Sequence, residues 1–173
     1  MNSPNAFIKF LLEFHCTRDY FECHEILEEY WKEEPSNRRN PVWVGFIQLA
    51  VSLYHYRRKN VKGASRSLSK AKRILMEQQM QVDALGIHFN ALIELISRVE
   101  SRLEQGKDYE SISLPLKKPL LDLCMQESKE RKLTWISQSD LNNYELINRH
   151  KTRDRSDVIK ERTKQLQLRH TKE

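Results

Sequence analysis

Through position 106, apolar residues recur three and four apart, the spacing that gathers them on one face of an α-helix. Ala6, Phe7, Phe10, Leu11 and Phe14 predict a first helix, opened by Asn2-Ser3-Pro4 with proline at the first helical position. It ends near His15-Cys16-Thr17. Asp19-Tyr20-Phe21-Glu22 places an acid at the cap and a glutamate three residues on, so a second helix runs from about Tyr20 to Glu33 and stops before Pro35. The third, from about Val42 to Lys59, is apolar almost all round, which predicts a central, buried helix. Asn60 caps a fourth, with Ala64, Leu68, Ala71 and Leu75 on one face. There Gly63-Ala64 lets a neighbouring helix come close. A fifth, from about Ile87 to Gln105, ends at Gly106, a natural residue just past a helix C-terminus.

Beyond Gly106 the period changes. Residues 109–119 read as an extended segment lying along the bundle, and periodicity weakens from Leu120. Leu141 to Ile147 predicts a short helix, and Ser156-Asp157 a further one with thin apolar content (Ile159, Leu166, Leu168). The expected fold is all-α: a compact bundle of about five helices over residues 4–106. An extended segment and a weakly structured, partly helical C-terminal appendage follow. Residues 1–118 form the expected bundle domain and 119–173 an extension with a basic end, partly disordered towards that end.

Composition agrees with helices. The 173 residues include only 4 glycines and 5 prolines, too few for a turn-rich β fold. None of the apolar runs approaches the ~18 residues of a membrane span, and no charged-then-apolar leader opens the chain. Three unevenly spaced cysteines are no disulfide scaffold and fit a reducing cytoplasm. Charge sharpens the picture by position. The net +6 hides an acid-free stretch, residues 35–76, with 10 basic residues, set between acidic stretches. Within it Lys62, Arg66, Lys70 and Arg73 follow i, i+4, i+8, i+11 and predict one exposed stripe, continued at its start by Arg57 and Arg58. Such a stripe suits phosphates, an acidic protein, or the acidic helices of a second copy. No helix-turn-helix or RNA-recognition pattern supports sequence-specific nucleic-acid binding.

The candidate chemistry lies elsewhere. On the second helix, His24 falls about 40° from Tyr20, inside the apolar stripe, with Glu28 and then Glu25 on its flank. His24 and Glu28 are four apart and can meet. On the third helix Gln48, Ser52 and His55 form a narrow polar stripe on an apolar cylinder. If that stripe faces the second helix, His24, Glu25, Glu28, Gln48, Ser52 and His55 make one buried polar cluster, which must satisfy its own hydrogen bonds. A metal would use His24, Glu28 and His55. The segment is not the zinc-protease motif, however, because Glu28 stands where its second histidine would be. No cofactor is implied. His15-Cys16 and Cys23-His24 match no zinc spacing and read as buried packing residues.

Tyr20-Phe21-Glu22-Cys23-His24-Glu25-Ile26-Leu27-Glu28-Glu29-Tyr30-Trp31 resembles the aromatic-x-x-His-Glu-x-Leu-Glu-x-x-Trp signature of the bacterial domain-of-unknown-function family 309. Gly45-Phe46-Ile47-Gln48-Leu49-Ala50, His55 and Asn60-Val61-Lys62-Gly63-Ala64 are similar to its second block. The resemblance spans roughly residues 5–116 and implies an all-helical, cytosolic domain with no established reaction. It also implies that His24, Glu25, Glu28, Trp31, Gly45, Gln48, His55, Asn60 and Gly63 occupy signature positions. Val44 departs from it, standing where the family's pattern has a polar residue. Together these readings favour a non-catalytic binding or structural module. Two alternatives stay open: a small metal- or His/Glu-dependent enzyme using His24, Glu28 and His55, and a binder of phosphate backbones or acidic partners through residues 57–73.

Overall fold

The computed structural model describes residues 4–152. The helix expected after Ser156 lies outside them. Five long helices build the bundle: α1 (Asn5–Leu12), α2 (Tyr20–Glu33), α3 (Pro41–Arg57), α4 (Val61–Glu77) and, after the short α5 (Gln79–Ala84), α6 (Phe89–Glu104). α7 (Lys118–Glu130) and the single turns α8 (Tyr144–Ile147) and α9 (Arg149–Thr152) follow. No strand occurs among the described residues; one antiparallel bridge joins Ile87 to Leu116.

Local chemistry sets the helix starts. The Asp19 carboxylate accepts from the Glu22 amide at 3.0 Å, Asn40 caps α3 ahead of Pro41, and the Asn60 side-chain oxygen accepts from the Gly63 amide at 3.0 Å. α3 is the central helix that its apolar cylinder predicts. It buries Phe46, Leu49, Ala50 and Leu53 completely, between α2 and α4. α1 contacts α2, and its stacked Phe7 and Phe10 rings meet Phe46 of α3 at an angle, while Phe14, just beyond α1, meets Phe10 and, edge on, Tyr20 of α2. α6 lies against α4.

α3 and α4 approach through Gly45. A Cβ there would lie 2.7 Å from Leu75 Cδ2 and 2.8 Å from Leu75 Cγ, so the fully buried Leu75 side chain would have to shift. Gly45→Val is expected to destabilise the fold by about 1–3 kcal/mol through overpacking. A lowered urea midpoint with an unchanged slope checks this; an unchanged midpoint contradicts it.

The chain after Gly106, whose φ of +64° suits glycine, is bound to the bundle by polar joints. α1 runs into a π-helical turn, Glu13–Thr17, which ends on Arg18 in the left-handed region. This turn carries two buried polar side chains. His15 Nδ1–H donates to Leu11 O at 2.9 Å, and its Nε2 accepts from the Leu114 amide at 2.9 Å. Arg18, 1% exposed, donates to the carbonyls of Phe14, Ile112 and Ser137. The extension is partly helical, as expected. Its first helix, α7, is deeper in the structure than its weak periodicity conveys: Leu120 and Cys124 belong to the same core as α1.

Candidate functional site

α2 brings its own three residues together. His24 Nδ1 is 3.1 Å from Glu25 Oε1, and His24 Nε2 is 2.9 Å from Glu28 Oε2. Lys32, one turn further on, sits 2.6 Å from the other Glu28 oxygen. Burial alone would raise the Glu28 carboxyl; the Lys32 hydrogen bond and the charge of His24 outweigh it and hold it below the usual carboxylate value. The cluster is not sealed, in contrast to the buried network expected from the helical wheel. The side chains of His24, Glu25 and Glu28 are 26%, 33% and 34% exposed. The reason is that Tyr20 and Leu27 take the core direction, leaving the histidine at its edge.

The polar stripe of α3 does not turn as one unit towards α2. Ser52 is fully buried and donates to Ala64 O at 2.9 Å, so it faces α4. Gln48 is half-buried and lies outside the pocket described next. His55 shares a pocket with His24: both line a half-open cavity of about 240 Å³ with Tyr20, Phe21, Tyr54 and Arg58. His150 of α9 closes it from the C-terminal side, its Nδ1 2.5 Å from the Tyr54 hydroxyl. Periodicity gives no sign of His150, because it reaches the pocket across 96 positions of sequence.

The hydrogen bonds around His55 define its tautomer. Asn60 Oδ1 is used by the Gly63 amide, so the group facing His55 Nδ1 at 3.1 Å is the Asn60 NH2. Nδ1 is therefore an acceptor, and the neutral ring carries its proton on Nε2. Burial first, then the charge of Arg58, lowers the His55 pKa. A donor facing Nδ1 acts in the same direction. Gly63 is needed for this arrangement, since a Cβ there would lie 2.7 Å from Asn60 Nδ2 and 3.0 Å from His55 Cγ.

The tautomer bears on metal binding. His24, Glu25 and Glu28 each offer one ligand atom, all within 4.8 Å of one another, and could hold a divalent ion. His55 does not complete that set as the sequence suggests. A ligand nitrogen at Nε2 would need its lone pair, and would leave an Nδ1–H against the Asn60 NH2. Nor is either histidine set up as a general base: both His24 nitrogens face carboxylates, and the His55 lone pair is taken by Asn60.

The basic residues divide into two groups. Lys62, Arg66, Lys70 and Arg73 are exposed along α4, with Arg73 3.6 Å from Glu77. Arg57 is not part of that surface. It is 5% exposed, lies over the Tyr20 ring at 5.0 Å, and donates to Arg18 O, Ser139 Oγ and Leu146 O. Arg58 is half-buried, lies over the Tyr54 ring at 5.3 Å and donates to Asn148 Oδ1 at 3.2 Å. The last turn of α3 is drawn inward by the chain that packs on it, which an i, i+4 pattern cannot show.

The fold and this α2–α3 site define a helical-bundle protein of the His-Glu-x-x-Glu kind. Residues 7–67 match the family described as "Domain of unknown function (DUF309)", and the chain belongs to that family. It is 50% identical over 167 residues, 96% of each chain, to a protein of Bacillus subtilis (strain 168) described as "Uncharacterized protein YpuF". No solved structure matches the chain. No helix among the described residues is long and apolar enough to cross a membrane.

Proposed function

We propose that the protein is a cytoplasmic, non-catalytic binding module whose α2–α3 pocket takes a small organic anion with a flat apolar body, such as an aryl carboxylate. The observation that carries this reading is the His55 tautomer. It leaves the ring proton on Nε2, a donor on a residue that lines, together with Arg58, a pocket walled by Tyr20, Phe21 and Tyr54. Two donors, one of them permanently charged, select an acceptor that is negative. Aromatic walls select a body that is flat and apolar. The volume of about 240 Å³ is below the ~300–1,000 Å³ of pockets for drug-sized ligands, which limits the guest to about one ring. The flanking carboxylates do not repel it strongly, because Glu28 is paired with Lys32 and both face His24.

Benzoate serves as the probe. It is expected to raise the melting temperature in a saturable way, while benzyl alcohol, of similar shape and no charge, does not. Arg58→Gln removes one charge-assisted hydrogen bond, worth about 1.5–3 kcal/mol, and is expected to weaken benzoate at least tenfold. Equal stabilisation by benzyl alcohol, or an Arg58→Gln variant that binds benzoate unchanged, would sink the proposal.

A further inference from the structure

A second cavity, of about 420 Å³, shares no lining residue with the first. It lies where the end of α3, the start of α4, the turn after α6 and the segment before α9 come together. Its volume is within the range of pockets that hold organic molecules. Its walls are apolar in a way the fold does not require. Val61 is 46% and Leu141 54% exposed, and Ile147 lies beside them. The rings of Tyr56 and Tyr109 meet edge to face at 5.9 Å. Their hydroxyls are already engaged, Tyr56 donating to Lys107 O at 2.7 Å and Tyr109 bonding Tyr20 at 2.6 Å. The rings thus offer apolar surface and little hydrogen-bonding capacity.

The charge around this apolar surface has one dominant sign. Lys59, Lys107 and Arg57 line the cavity against a single carboxylate, Asp108. Among the described residues neither lysine lies within 4.0 Å of a carboxylate oxygen. Arg57 is 5% exposed, and its buried Nε has no hydrogen-bond partner among the described residues. Lys59 is held at φ +59°, a left-handed conformation uncommon for lysine, directly after Arg57 and Arg58. An aliphatic and aromatic trough ringed by cations matches a ligand with an apolar tail and an anionic head.

We propose that this cavity binds a medium-chain amphiphilic carboxylate, its chain on Val61, Leu141 and Ile147 and its head at Lys59 and Lys107. The test uses the full chain and decanoate at submicellar concentration, with decyltrimethylammonium as a tail of equal length and opposite charge. Calorimetry is expected to show saturable one-to-one binding of decanoate and none of the cation. The double substitution Lys59→Glu with Lys107→Glu, and separately Leu141→Ser, each change exposed side chains and keep the fold, checked by circular dichroism. Each is expected to weaken decanoate at least tenfold, while His24→Gln, whose partners Glu25 and Glu28 lie on α2 and outside this cavity, leaves it unchanged. Absent saturation, equal binding of the cation, undiminished binding by the variants, or loss in His24→Gln would each overturn the assignment.

Discussion

Acidification from pH 7 to pH 4 is expected to cost the folded state about 3 kcal/mol through His15 alone. The ring is 1% exposed, and burial, the largest influence, lowers its pKa from 6.5 to about 4. The Arg18 charge adds to this, and the hydrogen bond to Leu11 opposes it. In the unfolded chain the imidazole takes a proton near pH 6.5; in the folded protein it does not until about pH 4. Between these values the unfolded state binds more protons, so stability is full above pH 6.5 and falls as pH drops towards 4. A separation of 2.5 units at about 1.36 kcal/mol each gives the size. The geometry explains why protonation is resisted. Nε2 accepts from the Leu114 amide, and a proton there would set two donors face to face. His55, also lowered, loses stability in the same direction. Glu13, raised chiefly by burial, acts in the opposite one. Urea denaturation at a series of pH values, in the native chain and in His15→Gln, isolates the histidine. The native curve is expected to fall more steeply between pH 6.5 and 4 by about 3 kcal/mol in total. Parallel curves would contradict it.

Arg57→Met is expected to lower stability by about 3 kcal/mol and to release residues 137–150 from the bundle. The guanidinium donates to Arg18 O at 2.7 Å, Ser139 Oγ at 2.8 Å and Leu146 O at 3.1 Å. Hydrogen bonds from a charged donor contribute about 1.5–3 kcal/mol each, and the cost of burying the charge offsets part of their sum. α8 and α9 bury no residue of their own, so little apolar area holds them once this joint is gone. Native-state hydrogen exchange separates the two effects. Amides of residues 137–150 are expected to lose their protection in Arg57→Met, while those of α2, α3 and α4 keep theirs relative to the lowered global stability. Protection that persists in residues 137–150 would show that the joint lies elsewhere.

The parts of the fold legible in the sequence are those decided locally. Asp19 and Asn60 each cap the helix their spacing announces, and the apolar cylinder of α3 lies at the centre. The same cylinder hid the direction of its polar residues. A helix buried on nearly all sides has no single inward face, so its wheel could not say that Ser52 turns to α4 while His55 shares a pocket with His24. The second role of Asn60 was illegible too: its NH2 reaches His55 through the left-handed turn at Lys59, a conformation that lysine does not announce. Residues 118–152 showed least. α7 docks through only two core side chains, Leu120 and Cys124, and residues 137–150 through single long-range hydrogen bonds with Arg18, Tyr54, Arg57 and Arg58, which leave no period in the chain. Their spacing alone therefore assigns Arg57 and Arg58 to the exposed stripe of α4.

The donor pocket is tested most directly by long-range nitrogen–proton NMR of the imidazole rings during a benzoate titration at pH 7.5. The His55 ring is expected to be neutral with its proton on Nε2, and the Nε2 resonance to move and saturate with benzoate. A proton on Nδ1 before benzoate is added, or an Nε2 resonance that does not move with benzoate, would contradict the proposed binding site.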